Sequence, residues 1–123
     1  MLQVDHNSPV PINDQIKAGL KGLVAKGLLR PGDQAPSIRG LAVSLRVNPN
    51  TVARAFRELA LEGFLESRRG DGNYISGTAR RQAKDGLDQV RSGLIEALVQ
   101  ARRGGLGWPD IEVLVQRARG EEK

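Results

Sequence analysis

Six side chains have the chemistry to grip a polyanion: Ser37, Arg39, Asn48, Asn50, Thr51 and Arg54. The hydroxyls and amides of Ser37, Asn48, Asn50 and Thr51 are short. Beside the unpaired backbone N–H groups of a helix N-terminus they can reach phosphate oxygens or base edges. Arg39 and Arg54 carry two-pronged guanidinium groups. Such a fork can read the O6 and N7 edge of guanine, a contact that discriminates by about 1–3 kcal/mol. Arg57, one turn beyond Arg54, either bonds the nucleic-acid backbone or pairs with Glu58 or Glu62. Taken singly, Arg39 and Arg54 would be ordinary surface ion-pair partners, so their placement has to carry the case.

Other chemistries are poorly supplied. The 123 residues contain no cysteine, which removes disulfides, thiolate metal sites and cysteine nucleophiles. The one histidine, His6, lies near the N-terminus without a partner cluster and reads as a solvated residue, so neither an enzyme nor a cofactor or metal is expected. Only four residues are aromatic: Phe56, Phe64, Tyr74 and Trp108. The core must therefore be aliphatic, and Trp108 beside Pro109 reads as a packing anchor. The net charge of +5 favours polyanionic partners without singling one out. No apolar signal core opens the chain and no run reaches the ~20 residues of a membrane span, so a cytoplasmic location without membrane contact is expected.

The elements that must position these residues are punctuated by proline and glycine. Ile12, Ile16, Leu20, Leu23 and Val24 recur at helical spacing after Pro11, and Gly27 and Pro31-Gly32-Asp33 end that helix in a turn. Ser37 is placed to cap a second, shorter helix with Leu41, Ala42 and Leu45 inward. Asn48 and Pro49 open a third, with Val52, Phe56, Leu59 and Ala60 on one face and Gly63 as its stop. Strand-like runs at 64–69 and 73–76 flank the turn Gly70-Asp71-Gly72, which no helix follows, so a hairpin is favoured over a phosphate cradle. The short turn Arg46-Val47-Asn48 between the second and third helices suits a helix-turn-helix, and the hairpin suits its wing.

From Ala79 to about Arg103 a further helix carries the seam Leu87, Val90, Leu94 and Leu98. After a glycine break, Pro109 restarts a last helix with Ile111, Leu114, Val115 and Ala118. The fold class expected is mainly α with a small β-hairpin: a winged helix-turn-helix over residues 1–77 and two dimerisation helices over 78–123. Two helices so short cannot enclose a roomy pocket, and their apolar seams call for burial against a partner. A two-fold homodimer is expected, built on Leu87, Val90, Leu94, Leu98, Ile111 and Leu114.

Several motifs in series resemble one family. These are Pro36-Ser37-Ile38-Arg39-Gly40-Leu41-Ala42, Val47-Asn48-Pro49-Asn50-Thr51-Val52, Arg54 to Leu59, Glu62-Gly63-Phe64-Leu65-Glu66 and Arg69-Gly70-Asp71-Gly72. Over residues 10–76 they are similar, in order and spacing, to the DNA-binding domain of GntR-type bacterial transcription regulators. The short two-helix tail looks like that of the YtrA subfamily. The resemblance implies a sequence-specific regulator, most often a repressor, acting as a homodimer on an inverted repeat in double-stranded DNA. It implies that Arg39 reaches the DNA and that Arg69 and Gly70 enter the minor groove, where arginine suits the negative potential and glycine permits close approach. Two positions depart from the pattern. Ala53 stands where many relatives carry arginine and Gly40 where many carry glutamate, so no operator sequence is carried over. A small-molecule effector stays open as a partner, although no convergent polar cluster marks a place for it. A winged helix that binds protein rather than specific DNA is the competing reading.

Overall fold

The computed structural model describes residues 2–121. Its order is α1 (Ile12–Ala25), α2 (Ile38–Leu45), α3 (Pro49–Leu61), β1 (Leu65–Arg68), β2 (Gly72–Ile75), α4 (Ala79–Arg103) and α5 (Trp108–Glu121). The chain divides into two compact units, Met1–Leu87 and Asp88–Lys123, with the division inside α4.

In the first unit each helix starts and stops where local chemistry requires. Ser37 Oγ accepts a hydrogen bond from Gly40 N at 3.0 Å, capping α2, and Asn48 Oδ1 accepts from Asn50 N at 2.8 Å, capping α3. Pro49 takes the first position of α3, where an N–H would lack a helical partner in any case. Both α1 and α3 end in a left-handed glycine. At α3, Gly63 has φ +78°, with Gly63 N bonded to Ala60 O and Phe64 N to Leu59 O. That pattern satisfies two stranded carbonyls and swings Phe64 into the core. α2 ends instead on Arg46, a non-glycine residue in the left-handed region at φ 57°.

Apolar residues at helical spacing then close one core. Ile16, Leu20, Leu23 and Val24 from α1 meet Leu41, Ala42 and Leu45 from α2 and Val52, Ala55, Phe56 and Leu59 from α3. α3 packs against both other helices and against β1. The opening of α4 contributes Ala79 and Ala83.

The hairpin pairs Leu65 with Ile75, Glu66 with Tyr74, Ser67 with Asn73 and Arg68 with Gly72. It is slightly shorter than expected at its outer ends, and Gly72 opens β2 rather than closing the turn. The hairpin is also not alone. Residues 32–35 run beside β2, with Ala35 N donating to Asn73 O, Ile75 N to Asp33 O and Gly32 N to Ile75 O, each at 2.8 Å. The loop before α2 is thereby stitched to the wing.

The N-terminal stretch lies across α1 and α2. Leu2 and Val4 pack on the core, Asp5 N donates to Gln15 Oε1 at 2.7 Å, and His6 Nε2 stands 3.2 Å from Leu45 O. His6 is exposed, as the solvated reading expects, and its ring also reaches the C-terminus of α2.

In the second unit, α5 is capped by Asp110 Oδ2 accepting from Gly107 N at 2.8 Å. Trp108 is 54% exposed, with the Arg102 guanidinium 5.1 Å from its ring centre, so it is no buried anchor. No described helix is long and apolar enough to cross a membrane.

Candidate nucleic-acid interface

The start of α3 is polar and exposed, while the rest of the helix is anchored in the core. Its buried positions are Val52, Ala55, Phe56 and Leu59. A repeat of 3.6 residues therefore turns Asn50, Arg54 and Arg57 away from the core, and all three are exposed. Thr51 is half-buried beside them, and Asn48 and Pro49 stand exposed at the helix mouth. The amide of Asn48 serves as the cap, which leaves its NH₂ to point outward. Ser37 is likewise both cap and surface group at the start of α2, and Arg39 is exposed within the first turn.

Charge is sorted across α3. On the α1 side, Lys17 pairs with Glu58 at 3.3 Å and with Glu62, and Lys21 reaches Glu62 at 2.9 Å. The hydrogen bond to Glu62 is the main reason the Lys17 ammonium is held above its ordinary pKa. Partial desolvation pushes Glu58 and Glu62 upward. For Glu58 the bonds from Arg54 and Lys17 outweigh it, and for Glu62 those from Lys17 and Lys21, so both carboxyls lie below their ordinary value. Arg54 Nε donates to Glu58 Oε2 at 3.1 Å, one turn along the same helix. Arg54 is therefore partly engaged, as the surface reading of that residue anticipates, while its side chain remains 67% exposed. The pairing of Arg57 with Glu58 or Glu62 does not form, because both carboxylates are occupied on the side facing α1.

The wing is braced from two sides. Gln34 Nε2 donates to Asp71 O at 2.9 Å, and Tyr74 Oη donates to Asp71 Oδ2 at 2.8 Å. That bond to Asp71 is the first cause of a raised Tyr74 pKa. Arg68 lies 3.8 Å over the Tyr74 ring, a cation–π contact on the outer face of the hairpin. The tip this framework holds is Arg69-Gly70, both exposed, with Gly70 at φ +77°. A side chain is strained at that angle, so glycine is the residue the turn requires. Gln34 and Tyr74 were missed in the sequence. Nothing local marks Gln34, whose contact comes from a strand pairing nearly forty residues away along the chain.

The described residues contain no cluster of three or more His, Asp or Glu side chains able to hold a metal. The arrangement offers helix N-termini, guanidinium forks and a rigid protruding turn. Its chemistry is that of contacting a phosphate backbone and the groove edges beside it.

Of the tail residues expected at a subunit contact, Val90 (65%), Leu94 (59%), Leu114 (48%) and Leu87 (39%) are exposed in the single chain. Leu98 is half-buried, and Ile111 is already buried.

Comparison with known proteins gives the family and the fold. The family described as "Bacterial regulatory proteins, gntR family" matches residues 12–75. The HTH-type transcriptional repressor YtrA of Bacillus subtilis is 39% identical over 107 residues, covering 86% of this chain and 82% of that protein. Among solved structures, YtrA from Sulfolobus acidocaldarius, a GntR-family transcription factor, superposes with a TM-score of 0.60. It is 35% identical over 80% of this chain and 97% of its own. A GntR family transcriptional regulator from Listeria monocytogenes gives 0.69 at 26% identity, covering 93% and 98%.

Proposed function

This chain belongs to the gntR family of bacterial regulatory proteins and is a DNA-binding transcription regulator of the winged-helix type, and from that premise we propose that it is a cytoplasmic repressor that occupies an inverted-repeat operator as a homodimer. The observation that carries this reading is the uncovered mouth of α3 beside a braced, glycine-tipped wing. In this reading residues 1–77 are the reading head. The N-terminus of α3 enters the major groove, Asn48, Asn50 and Thr51 contact phosphate or base edges, and Ser37 binds a phosphate. Arg39 is the first base-reading fork. Arg54 is the second, released from Glu58 when a guanine edge replaces the carboxylate. Arg69 and Gly70 lie in the minor groove.

Residues 78–123 form the dimerising tail. Leu87, Val90, Leu94, Leu98 and Leu114 face the second copy, and Ile111 steadies the tail from within. Two-fold symmetry then sets the two recognition helices about one DNA turn apart, or a multiple of it, and dictates a palindromic site. No bond is made or broken, and control is exerted by occupancy of the operator.

Titration of the DNA upstream of the chain's own gene, at several salt concentrations, tests this. A protected palindrome should appear, with affinity falling steeply as salt rises. Arg39→Ala should relax sequence discrimination at one base pair by about 1–3 kcal/mol. Equal affinity for random duplex would remove the specific-repressor reading. Regulation that persists in the Arg39→Ala, Arg54→Ala double variant would favour a protein-binding module.

A further inference from the structure

Between α3 and the hairpin lies an open groove of about 230 Å³. Ile38 and Phe56 line its apolar part, and Ala53, Arg57, Ser67 and Asn73 border it. The groove is accessible because residue 53 contributes only a methyl group. Its polar border comes from α3 on one side and from both strands of the hairpin on the other.

Arg57 is the cation of α3 that the fold leaves unspent. Glu58 and Glu62 are both drawn to α1 by Lys17 and Lys21, and Arg54 shares Glu58. Among the described residues no carboxylate pairs with Arg57, and its side chain is exposed beside the groove. Ser67 and Asn73 supply the second line. They oppose one another across the ladder, two residues outward from the Leu65–Ile75 pair and on the same face of the hairpin. Leu65 and Ile75 are buried. Continuing that face with apolar side chains would extend the core toward the groove. It carries a hydroxyl and an amide instead, facing an unpaired guanidinium.

We infer that Arg57, Ser67 and Asn73 form a seat for one phosphodiester of duplex DNA, which clamps the same backbone segment between the recognition helix and the wing. The guanidinium donates two N–H groups to the phosphate oxygens, and the Ser67 hydroxyl and Asn73 amide donate from the opposite wall. A phosphate lodged there carries no sequence information. It fixes how far α3 descends into its groove while the wing tip lies in the next. The inference rests on duplex DNA being the partner, but not on that DNA being a specific operator.

The test is a salt titration of the full chain against two duplexes of about 20 base pairs, one from its own upstream region and one of scrambled sequence. Arg57→Ala should weaken both by a similar factor, about 5- to 10-fold. It should also lower the slope of log K against log salt by about 0.9, the signature of one lost phosphate contact. Arg57→Lys should recover most of the affinity, because a phosphate accepts a point charge where a guanine edge demands the fork. Ser67→Ala should cost about 2-fold with the slope unchanged, since a neutral donor displaces no counterion. Arg57 is exposed, so thermal melting of each Arg57 variant should match the parent. A parental slope in Arg57→Ala would overturn the seat. So would a loss confined to the chain's own sequence and not rescued by lysine, which would make Arg57 a base reader. If the parent binds both duplexes equally, the specific-repressor reading fails while the change in slope still decides the seat. If it binds neither, both fail.

Discussion

Along α3, Val52, Ala55, Phe56 and Leu59 are buried and Leu61 is the one large apolar side chain left out. From Val90 to Val99 along α4, Val90, Leu94, Ile95 and Val99 all stand in solvent. Both helices show apolar residues at spacings of three and four, so amphipathic patterning alone does not separate them. What separates them is whether the rest of the chain supplies a complementary surface. The first unit brings three helices, a hairpin and the opening turns of α4 around one cluster. Within the second, Ile111 is the one buried apolar residue among those described. Burying a Leu or Val side chain contributes about 1.5–3 kcal/mol. Val90 and Leu94 share one face of α4 and Ile95 and Val99 lie well round from it, so the helix carries a broad apolar surface whose burial is a stabilisation that one copy of the tail leaves unused.

The sharpest way to break this comparison is to truncate one leucine in each region. Leu59→Ala should cost about 2–5 kcal/mol of unfolding free energy, because the cavity it leaves lies among rigid neighbours. Leu94→Ala should cost less than about 0.5 kcal/mol in dilute protein, while shifting sedimentation toward the monomer at higher concentration. Urea unfolding at two protein concentrations reads both. If Leu94→Ala destabilises the dilute chain as Leu59→Ala does, the tail closes a core of its own and the contrast disappears.

A smaller effect is expected at the turn between α2 and α3. Arg46 holds a left-handed conformation that costs an L side chain about 1–2 kcal/mol, and glycine relieves most of it. Arg46→Gly should therefore raise the urea midpoint of the head by the equivalent of about 1 kcal/mol and leave self-association unchanged.

The smallest effect is in acid. The Glu62 carboxyl lies below its ordinary pKa of 4.5 because Lys17 and Lys21 favour its charged form over the opposing desolvation. A lowered folded-state pKa adds stability that is complete above the unfolded value and is lost as pH falls through the depressed one. The pairs are partly solvated, so the amount is about 0.5 kcal/mol. Glu62→Gln should accordingly flatten the loss of head stability between pH 5 and pH 3, the range just around the ordinary value. An unchanged acid limb would mean that the α1–α3 ion pairs add nothing.

Much of the head could be read along the chain because its signals are local. Ser37, Asn48, Pro49, Gly27 and Gly63 each act within a few residues, and the helices begin and end on them. The exposure of Asn50 and Arg54 follows from the 3.6-residue repeat of α3, and that of Arg69 from its place in the turn that Gly70-Asp71-Gly72 marks. The features that escaped are non-local. Residues 32–35 look like a loop because Pro31, Gly32, Asp33 and Pro36 lie in and around them, yet β2 hydrogen-bonds them along its free edge through an isolated bridge at Gln34. His6 finds the end of α2 through folding that no spacing records. The fate of Arg57 turned on where two carboxylates point, which α1 decides from far away along the chain.

Gly19 carries a consequence of another kind. It sits inside α1, where glycine costs about 1 kcal/mol relative to alanine, and a Cβ there would overlap the side chain of Leu2. Gly22, three residues on, meets nothing. The two glycines should therefore drift differently over evolutionary time. Position 22 has room for a side chain, whereas the outcome at 19 depends on what stands at position 2. An alanine at 19 requires the Leu2 side chain to turn aside, so the substitution should be accepted more readily once a smaller residue stands at position 2.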